Sequence, residues 1–372
     1  MSVTENNKLL GKKINIIGIV GQNGKSIIGQ IIHHCYFALE IDNKLESVAE
    51  FSNKIHDESY EKSTRDVIME VCLCSIKEKK ASYIDFDSLI FTNSSENADQ
   101  DEKWTMMRPF IALPLDKTAI INIDDDHGAD FCDVTIAKTL TYAITELADI
   151  NACDIKMAID KTEFDLYYKG SFACKAAIPY FGVYNVYNAL AAVAHLVGEG
   201  YDPARVAQLL SSLPQIKGNF DTFTTHTDIK IVVDYARTAE GVTAVLKSLT
   251  TVCQGNIITV IGADDDTTTA QRAAIGKNVL AHSKKVIFTT DNPRTEEPQN
   301  IIYDLIKGNI KQNYRICIDR EKAIEIALKM AKPKDVVILF GKAYEKTSTI
   351  YKNTNAFCDK TIAKYLAHKF EI

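Results

Sequence analysis

Apolar residues along this chain occur in short runs, and most of these runs lead into segments with helical spacing of hydrophobic positions. The first run starts at Ile14, is rich in β-branched residues, and predicts a buried strand. A glycine-rich turn follows, and the segment from Ile27 to Leu39 is amphipathic, as is typical of a helix packed on one face. The N-terminal pattern therefore predicts a strand, a glycine turn and a helix in succession.

The rest of the first half continues this pattern and then changes to strict alternation. From Asp154 to Pro179 apolar and polar residues alternate, which predicts an antiparallel meander. An alanine-rich helix opened by Asn185 and Asn188 comes next, and a further helix spans about Pro203 to Leu213. The strands predicted ahead of the meander are Val67–Val71, Leu89–Asn93 and Ala119–Ile123.

In the second half, strands and helices alternate in five βα units. Such alternation predicts a doubly wound, mostly parallel sheet of Rossmann-like outline. We place a linker at Gln215–Asn219, which divides the chain into domains at 1–216 and 217–372. The predicted strands of the second domain are Ile229–Val233, Ile257–Ile261, Val286–Thr290, Tyr314–Ile318 and Val336–Phe340.

Length, charge and cysteine usage narrow the class of protein. At 372 residues the chain is longer than one ordinary core needs, which favours two domains. The formal net charge of −6 argues against a nucleic-acid partner, and no apolar run reaches membrane-spanning length. The polar start does not have the pattern of a signal peptide, and the nine cysteines lack the spacing of a zinc site. We therefore expect a cytoplasmic protein with reduced thiols and no membrane partner.

The glycine turn has the chemistry of a phosphate cradle. Gly21 and Gly24 precede Lys25 and Ser26, so backbone N–H groups and the helix N-terminus would face a polyphosphate. Lysine supplies positive charge, and the serine hydroxyl reaches Mg²⁺. Ile19 stands where the usual nucleotide-binding pattern has its first glycine, so a purely structural glycine turn is the alternative.

Acidic residues follow two of the predicted strands. Glu70 lies near the end of Val67–Val71, where ligands of parallel α/β sheets gather, and it is a candidate metal or water ligand. The alternative is a glutamate on an edge strand, in solvent. Asp124, Asp125 and Asp126 follow another strand, and they favour either a cation site or, more commonly, a solvated turn.

Eight short motifs occur in order between residue 14 and about residue 345. They are Gly21-Gln-Asn-Gly-Lys-Ser26, Met69-Glu-Val71, Phe91-Thr-Asn93, Asn122-Ile-Asp-Asp-Asp-His-Gly128, Asn185-Val-Tyr-Asn-Ala-Leu-Ala-Ala192, Val233-Asp-Tyr-Ala-Arg-Thr238, Asp291-Asn-Pro-Arg294 and Gly341-Lys-Ala-Tyr-Glu345. This set resembles the motifs of the Mur ligase family, most closely the MurE type that adds the third amino acid of the peptidoglycan stem peptide. The resemblance implies an α/β fold with a P-loop, ATPase-like central domain and a Rossmann-like C-terminal domain.

The resemblance implies an ATP-dependent carboxylate–amine ligase. ATP phosphorylates a peptide carboxylate, and the amino group of an incoming amino acid then attacks the acyl phosphate. Lys25 and Glu70 carry over as catalytic residues, and Ser26 and Glu70 as ligands of Mg²⁺. The residues that carry over to ATP binding are Gly21, Asn23, Gly24, Lys25, Ser26, Asn185 and Asn188 near the adenine, and Asp234 near the ribose.

The resemblance also implies an amino-acid pocket in the second domain. Guanidinium groups pair carboxylates bidentately, while a carboxylate receives an ammonium group. Arg294 favours diaminopimelate over lysine, because lysine-adding relatives lack this arginine; a surface arginine after a turn proline is the alternative. The residues that carry over are Arg272, Asp291, Asn292, Arg294, Gly341 and Glu345.

Several departures from the family pattern predict impaired catalysis. Only about a dozen residues precede the first strand, so we expect no N-terminal UDP-sugar domain. A second metal-binding histidine of the family aligns near Ala98, and its carbamylated lysine aligns with Met107 or Arg108. Each lost charge-stabilising group is worth ~3 kcal/mol of barrier, by analogy with an oxyanion-hole donor.

These features give one leading hypothesis and two alternatives. The leading one is a MurE-type homologue that keeps its nucleotide and amino-acid sites but turns over poorly. The first alternative is a catalytically inactive binding or scaffold protein, with a complete Mur ligase as its partner. The second is a working ligase whose peptide acceptor is not linked to UDP.

Overall fold

A computed structural model describes residues 14–54, 66–95, 99–216, 220–309, 313–342, 347–350 and 353–372. The chain forms two compact units. The first comprises residues within 1–157, 161–179 and 183–214, and the second comprises residues within 158–160, 180–182 and 215–372. The domain limits of 1–216 and 217–372 stay predictions.

The first unit is built on a nine-stranded sheet in the order β2-β3-β1-β4-β5-β6-β7-β8-β9. Strands β1 to β7 pair in parallel, and β8 pairs antiparallel to β9, as the alternation predicted. The strands are β1 Asn15–Val20, β2 Asn43–Ser47, β3 Asp66–Val71, β4 Ser88–Phe91, β5 Thr118–Asn122, β6 Lys138–Ala143, β7 Ile150–Ala158, β8 Lys161–Tyr168 and β9 Ser171–Ile178. The described helices are α1 Lys25–Ala38, α2 Val48–Lys54, α3 Leu73–Lys77, α4 Gln100–Ile111, α5 Gly128–Val134, α6 Val183–Gly198 and α7 Pro203–Ser211, with a 3₁₀ turn at Ala81–Tyr83.

Strand β1 lies inside this sheet, between β3 and β4, and its apolar residues are almost fully buried. Aromatic side chains form much of the adjoining core. The ring of Phe91 stacks on that of Phe131 at 3.7 Å between centroids, and Phe110 packs edge-on against Phe131 at 5.0 Å. The end of β1, where the glycine turn begins, is thus fixed by packing on both sides.

The second unit is built on a six-stranded sheet in the order β10-β11-β15-β12-β13-β14. Strand β10 pairs antiparallel to β11, and the other neighbours are parallel. The strands are β10 Asp221–Thr224, β11 Lys230–Asp234, β12 Ile257–Ile261, β13 Lys285–Phe288, β14 Tyr314–Ile316 and β15 Val336–Phe340, and a separate hairpin consists of β16 Thr347–Ile350 and β17 Asn353–Ala356. The described helices are α8 Ala239–Val252, α9 Thr269–His282, α10 Pro298–Ile306, α11 Arg320–Met330 and α12 Asp359–Lys369.

The predicted α/β class is confirmed, and the differences from prediction are local. The strand predicted over Leu89–Asn93 ends at Phe91, because Thr92 and Asn93 turn away to bond the glycine loop. Helix α4 was not predicted, because its sequence is polar on average and only one face, with Met106, Met107 and Phe110, is buried. Its N-cap is Asp99, whose side chain accepts from the N–H of Glu102.

Two further findings concern the cysteines and the membrane. Cys72 and Cys74 are joined in a disulfide, so the expectation of reduced thiols is wrong for this pair. The turn from β3 into α3 brings their Cα atoms to 5.3 Å, within the span of a disulfide.

Within the described ranges, no helix has the length and apolar character needed to cross a membrane.

Candidate functional site

The glycine loop between β1 and α1 has a backbone that only glycine adopts without strain. Gly21 has φ of +142° and Gly24 has φ of +87°. A Cβ atom on Gly24 would lie 2.4 Å from Oδ1 of Asn188, and one on Gly21 would lie 2.0 Å from Oγ1 of Thr92. Both the conformation and the surrounding space therefore require glycine at these two positions.

The end of β4 holds this loop in place. Asn93 accepts the backbone N–H of Gln22 on its carbonyl and that of Asn23 on its side-chain oxygen, both at 2.9 Å. The Thr92 hydroxyl donates to the Asn23 carbonyl at 2.8 Å. Sequence reasoning assigned these two side chains no role in the site, although their place directly after an apolar strand was a usable signal. Helix α1 has no side-chain N-cap bond at Gly24, and uncapped N–H groups at a helix N-terminus attract anions.

Lys25 curls back over the loop that precedes it. Its Nζ donates to the carbonyl oxygens of Gly21 at 2.6 Å and Gln22 at 3.1 Å. Burial lowers the pKa of Lys25, and the nearby Glu70 carboxylate partly opposes this. The ammonium group thus lies at the mouth of the glycine loop, where it would meet a phosphate.

Ser26 and Glu70 meet beside Lys25. The Ser26 hydroxyl donates to Oε2 of Glu70 at 2.8 Å. Glu70 pairs in register with Ile19 of β1, and β3 lies between β2 and β1, so the alternative of an edge strand is wrong. Both groups are hard oxygen ligands, the type that Mg²⁺ takes together with substrate phosphates. Ser26 and Glu70 therefore fit a Mg²⁺ ion, although the described residues contain no cluster of three or more acidic, histidine or cysteine ligands.

One of two neighbouring buried asparagines on α6, Asn188, lies against the glycine loop. Asn185 is fully buried and Asn188 is buried, and the Nδ2 group of Asn188 donates to Oδ1 of Asn185 at 3.2 Å. Asn188 is the side chain that a Cβ on Gly24 would strike. The predicted nucleotide-binding residues of the first unit, from Gly21 to Asn188, are therefore brought together at the carboxyl end of strand β1.

The acidic run after β5 accepts hydrogen bonds from neighbouring backbone N–H groups. The Asp124 carboxylate accepts from the N–H groups of Ile144, Thr145 and Glu146 and from the Tyr187 hydroxyl. Burial alone would raise the pKa of Asp124, but the hydrogen bonds from the Thr145 hydroxyl, from the N–H groups of Ile144 and Thr145 and from the Tyr187 hydroxyl together outweigh it and lower that pKa. Asp125 accepts from the N–H and hydroxyl of Ser94. Both carboxylates are therefore engaged in turns.

In the second unit, Asp234 ends β11 and is buried. Its carboxylate accepts the N–H groups of Phe220 and Ala236, both at 2.8 Å. Burial raises the pKa of Asp234 to about 6, against the opposing effect of these two hydrogen bonds. A carboxylate held so firmly by the backbone has a fixed orientation.

The loops after β13 and β15 meet at Lys342, which sequence reasoning did not include among the site residues. Its fully buried Nζ donates to Oδ1 of Asp291 at 3.2 Å and to Oδ1 of Asn292 at 2.6 Å. Gly341 has φ of +100°, and a Cβ there would lie 2.3 Å from Oδ2 of Asp291. The sequence signal for Lys342 was its place in the Gly341–Glu345 motif, two residues beyond the end of the apolar strand β15.

The two predicted arginines have carboxylate partners within the same unit. Arg272 is 3% exposed, and it forms a bidentate pair with Glu296 at 2.7 Å for both contacts and a further bond to Asp304 at 3.2 Å. Arg294, half-exposed and at φ of +43°, donates to Oδ1 of Asp265 at 2.6 Å. The structure thus brings Asp291, Asn292, Arg294 and Gly341 to one edge of the sheet, while Glu345 lies outside the described residues.

Two positions that depart from the family pattern, Met107 and Arg108, lie on α4, and Arg237 bonds the loop after β15. Met107 is buried in the core with Phe110, and Arg108 is exposed on α4. Arg237 donates to the Gly341 carbonyl at 3.0 Å and to Oδ2 of Asp264 at 3.1 Å. Ala98 lies outside the described residues.

Family models match both halves of the chain. Residues 7–196 match the Mur ligase middle domain, and residues 220–343 match the Mur ligase glutamate ligase domain. The chain belongs to the Mur ligase family. This confirms the family resemblance drawn from the eight motifs, and the 2,6-diaminopimelate ligases among the relatives described next confirm its MurE type.

Relatives and solved structures agree with this assignment. The chain is 33% identical to UDP-N-acetylmuramoyl-L-alanyl-D-glutamate--2,6-diaminopimelate ligase 1 of Clostridium acetobutylicum, over 94% of this chain and 77% of the relative. It is 30% identical to the corresponding ligase of Lactiplantibacillus plantarum, over 96% of this chain and 79% of the relative. A MurF ligase from Thermotoga maritima in complex with ADP shares the fold with a TM-score of 0.72 at 16% identity, over 91% of this chain and 80% of that one.

Proposed function

We propose that this chain is a MurE-type carboxylate–amine ligase homologue that binds ATP through Gly21–Ser26 and an amino acid through the loops after β13 and β15. The observation that carries the proposal is the cradle in which Gly24, Lys25, Ser26 and Glu70 stand together. Backbone N–H groups, an ammonium and a carboxylate at a glycine turn bind and orient a nucleoside triphosphate with Mg²⁺. The reaction needs ATP, and the proposal includes a cytoplasmic location.

The residues of the cradle would act on the phosphates. Lys25 would leave the carbonyls of Gly21 and Gln22 and neutralise phosphate charge, while Ser26 and Glu70 would hold Mg²⁺. When bound, that ion offsets the charge of the phosphates. Positioning and charge stabilisation are most of what phosphoryl transfer requires from a protein.

The second substrate in this proposal is an amino acid resembling diaminopimelate, and the acceptor is a peptide carboxylate. The support is the set of polar groups at Asp291, Asn292, Arg294 and Gly341, together with the diaminopimelate ligase names of the relatives. Asp234, Asn185 and Asn188 are proposed to contact the nucleoside. Arg272 is proposed to shape the pocket, since its guanidinium already bonds Glu296 and Asp304.

Slow turnover is part of the proposal. Met107 is buried among hydrophobic side chains and Arg108 is a cation, so neither supplies an oxygen ligand for a metal. A binding or scaffold role beside a complete Mur ligase is the second candidate, and the same observation favours it. A ligase whose acceptor is not linked to UDP is the third.

A phosphate-release assay tests the proposal. ATP·Mg²⁺ is combined with meso-diaminopimelate or L-lysine and with either the UDP-linked muramoyl dipeptide or the free dipeptide. Amino-acid-dependent release that disappears in Lys25→Ala, but not in the exposed control Lys322→Ala, identifies a ligase and its acceptor. Calorimetric binding of ATP and amino acid without release identifies the binding role. Absence of heat with both ligands, from folded protein, contradicts the proposal.

A further inference from the structure

The loop after β12 carries three consecutive aspartates, Asp264, Asp265 and Asp266, and it lies against the loop that contains Arg294. The N–H of Asn292 donates to Oδ1 of Asp264 at 3.1 Å, and the N–H of Asp265 donates to the Asn292 carbonyl at 3.4 Å. The two loops are therefore joined through Asn292 at Asp264 and at Asp265.

Arg272 also holds this loop, through hydrogen bonds to its backbone. Its Nη2 donates to the carbonyl oxygens of Asp264 at 3.1 Å and Asp265 at 3.3 Å. Because the Arg272 side chain is only 4% exposed and is itself clamped by Glu296, these bonds define the path of the Asp265 backbone. The direction of the Asp265 side chain follows from that path.

Asp265 places its carboxylate on Arg294. The Nη1–Oδ1 distance is 2.6 Å, and the Arg294 and Asp265 side chains are 50% and 21% exposed, respectively. An ion pair with this exposure is screened by water and contributes little to stability. It can therefore open when another carboxylate arrives.

Charge around this pair is predominantly negative. The cations at these loops are Arg237, Arg272, Arg294, Arg320 and Lys342, and the carboxylates are Asp264, Asp265, Asp266, Asp291, Glu296, Asp304 and Asp359. Burial, and then the neighbouring Asp291, raise the pKa of Asp264 to about 6. An incoming carboxylate would meet a guanidinium that is already paired, in a region with more acidic than basic groups.

We propose that Asp265 is a specificity-determining residue that competes, as an internal carboxylate, with the second carboxylate of an amino acid for Arg294. The inference rests on the proposed function, in which Arg294 faces the amino acid. An amino acid whose side chain ends in a carboxylate gains less from Arg294 when Asp265 already pairs with that arginine. Asp265 therefore reduces the difference in affinity between such an amino acid and one whose side chain ends in an ammonium group alone. Arg294 by itself would widen that difference.

Isothermal titration with meso-diaminopimelate and L-lysine tests this inference on the full chain and on Asp265→Asn. The measured quantity is the ratio of the two dissociation constants within each protein, which cancels general effects on the pocket. We expect Asp265→Asn to raise the relative affinity for diaminopimelate by about 2- to 5-fold, the range of an exposed ion pair. The control is Asp266→Asn, which makes the same change of charge on the exposed neighbour and should leave the ratio unchanged.

A double-mutant cycle separates competition from general electrostatics. Arg294→Ala should weaken diaminopimelate binding more in the Asp265→Asn background than in the natural chain, where Arg294 is already paired. Asp265→Ser repeats the test with a smaller neutral side chain, and circular dichroism verifies that each variant is folded.

The outcomes distinguish this inference from the proposed function. Equal ratios in the natural chain, Asp265→Asn and Asp265→Ser, with clear binding of diaminopimelate, overturn the role of Asp265 and leave the amino-acid site intact. A ratio that changes equally in Asp266→Asn also overturns it, because the effect is then one of net charge. Absence of amino-acid binding to every folded protein overturns the amino-acid site itself, and the role of Asp265 with it.

Discussion

Gly24 is the last residue of the glycine loop before helix α1, and its backbone is in the left-handed region. Its φ of +87° is strained for any other residue, and the Asn188 side chain fills the space where a Cβ would stand. The N–H groups that would bind phosphate follow directly after it. One residue therefore controls both the shape of the loop and its distance from α6.

We predict that Gly24→Ala loses ADP·Mg²⁺ binding, measured by calorimetry. The matched control is Gly200→Ala, since Gly200 has φ of +98° and nothing within 4 Å of its added Cβ. Both variants carry the backbone strain, about 1–2 kcal/mol, but only Gly24→Ala collides with a neighbouring side chain. Unchanged ADP affinity in Gly24→Ala would contradict the role assigned to the loop.

At the scale of residues, sequence spacing predicted which groups stand together along one segment. Lys25 and Ser26 follow a glycine turn, and their chemistry was predictable from that order alone. The pairing of Arg294 with Asp265 and of Lys342 with Asn292 was not, because these residues are 29 and 50 positions apart and meet only when parallel strands align.

At the scale of elements, a very close helix packing in the second unit occurs at Gly276 of α9. A Cβ there would lie 1.6 Å from the carbonyl oxygen of Leu305 in α10. Glycine is normally a poor residue inside a helix, by about 1 kcal/mol relative to alanine. Its presence here lets the two backbones approach.

We predict that Gly276→Ala destabilises the second unit by about 1–3 kcal/mol, the usual cost of overpacking, in spite of alanine's better helix propensity. Urea denaturation followed by circular dichroism measures the change. Gly241→Ala in α8 is the control, since its nearest neighbour is a side-chain hydroxyl at 3.1 Å, and we expect a change within about 1 kcal/mol. Equal stability of Gly276→Ala and the natural chain would contradict the prediction.

Strongly periodic or continuously apolar elements were predicted well, because the period of burial is encoded in the local sequence. Strands β12 and β15 have the predicted bounds, and α9 starts two residues before Gln271, where the pattern predicts its beginning. Helix α4 and strand β6 are two of the elements that were missed. Both have mixed polar sequences in which tertiary packing, rather than local pattern, selects the conformation.

At the scale of the whole molecule, buried ionisable groups link stability to pH. Asp234 binds its proton more tightly in the folded chain, where its pKa is about 6, than in the unfolded chain, where a typical aspartate is near 4. Between pH 4 and pH 6 the folded state therefore holds more protons, and stability falls as pH rises. Asp264, with its pKa also raised to about 6, acts in the same direction.

We predict that the second unit of the natural chain loses about 2 kcal/mol relative to Asp234→Asn between pH 4 and pH 7, because the pKa of Asp234 is about 6 in the folded chain and near 4 in the unfolded chain. The comparison uses urea denaturation of both proteins across the range. The amide of the variant does not titrate, and Asp264 remains in both proteins, so the difference reports Asp234 alone. Parallel stability curves for the two proteins would contradict the prediction.

The sequence by itself determined the α/β class, the order of the main strands and helices, the glycine loop with Lys25 and Ser26, and the family. These features depend on local periodicity and on motifs, which neighbouring residues specify. The tertiary structure alone decided that Glu70 lies on an interior strand beside Ser26, that Asp124 and Asp125 serve backbone turns, and that Arg294 already holds Asp265. Those outcomes depend on which strands become neighbours, a choice made by burial of the whole sheet rather than by any single segment.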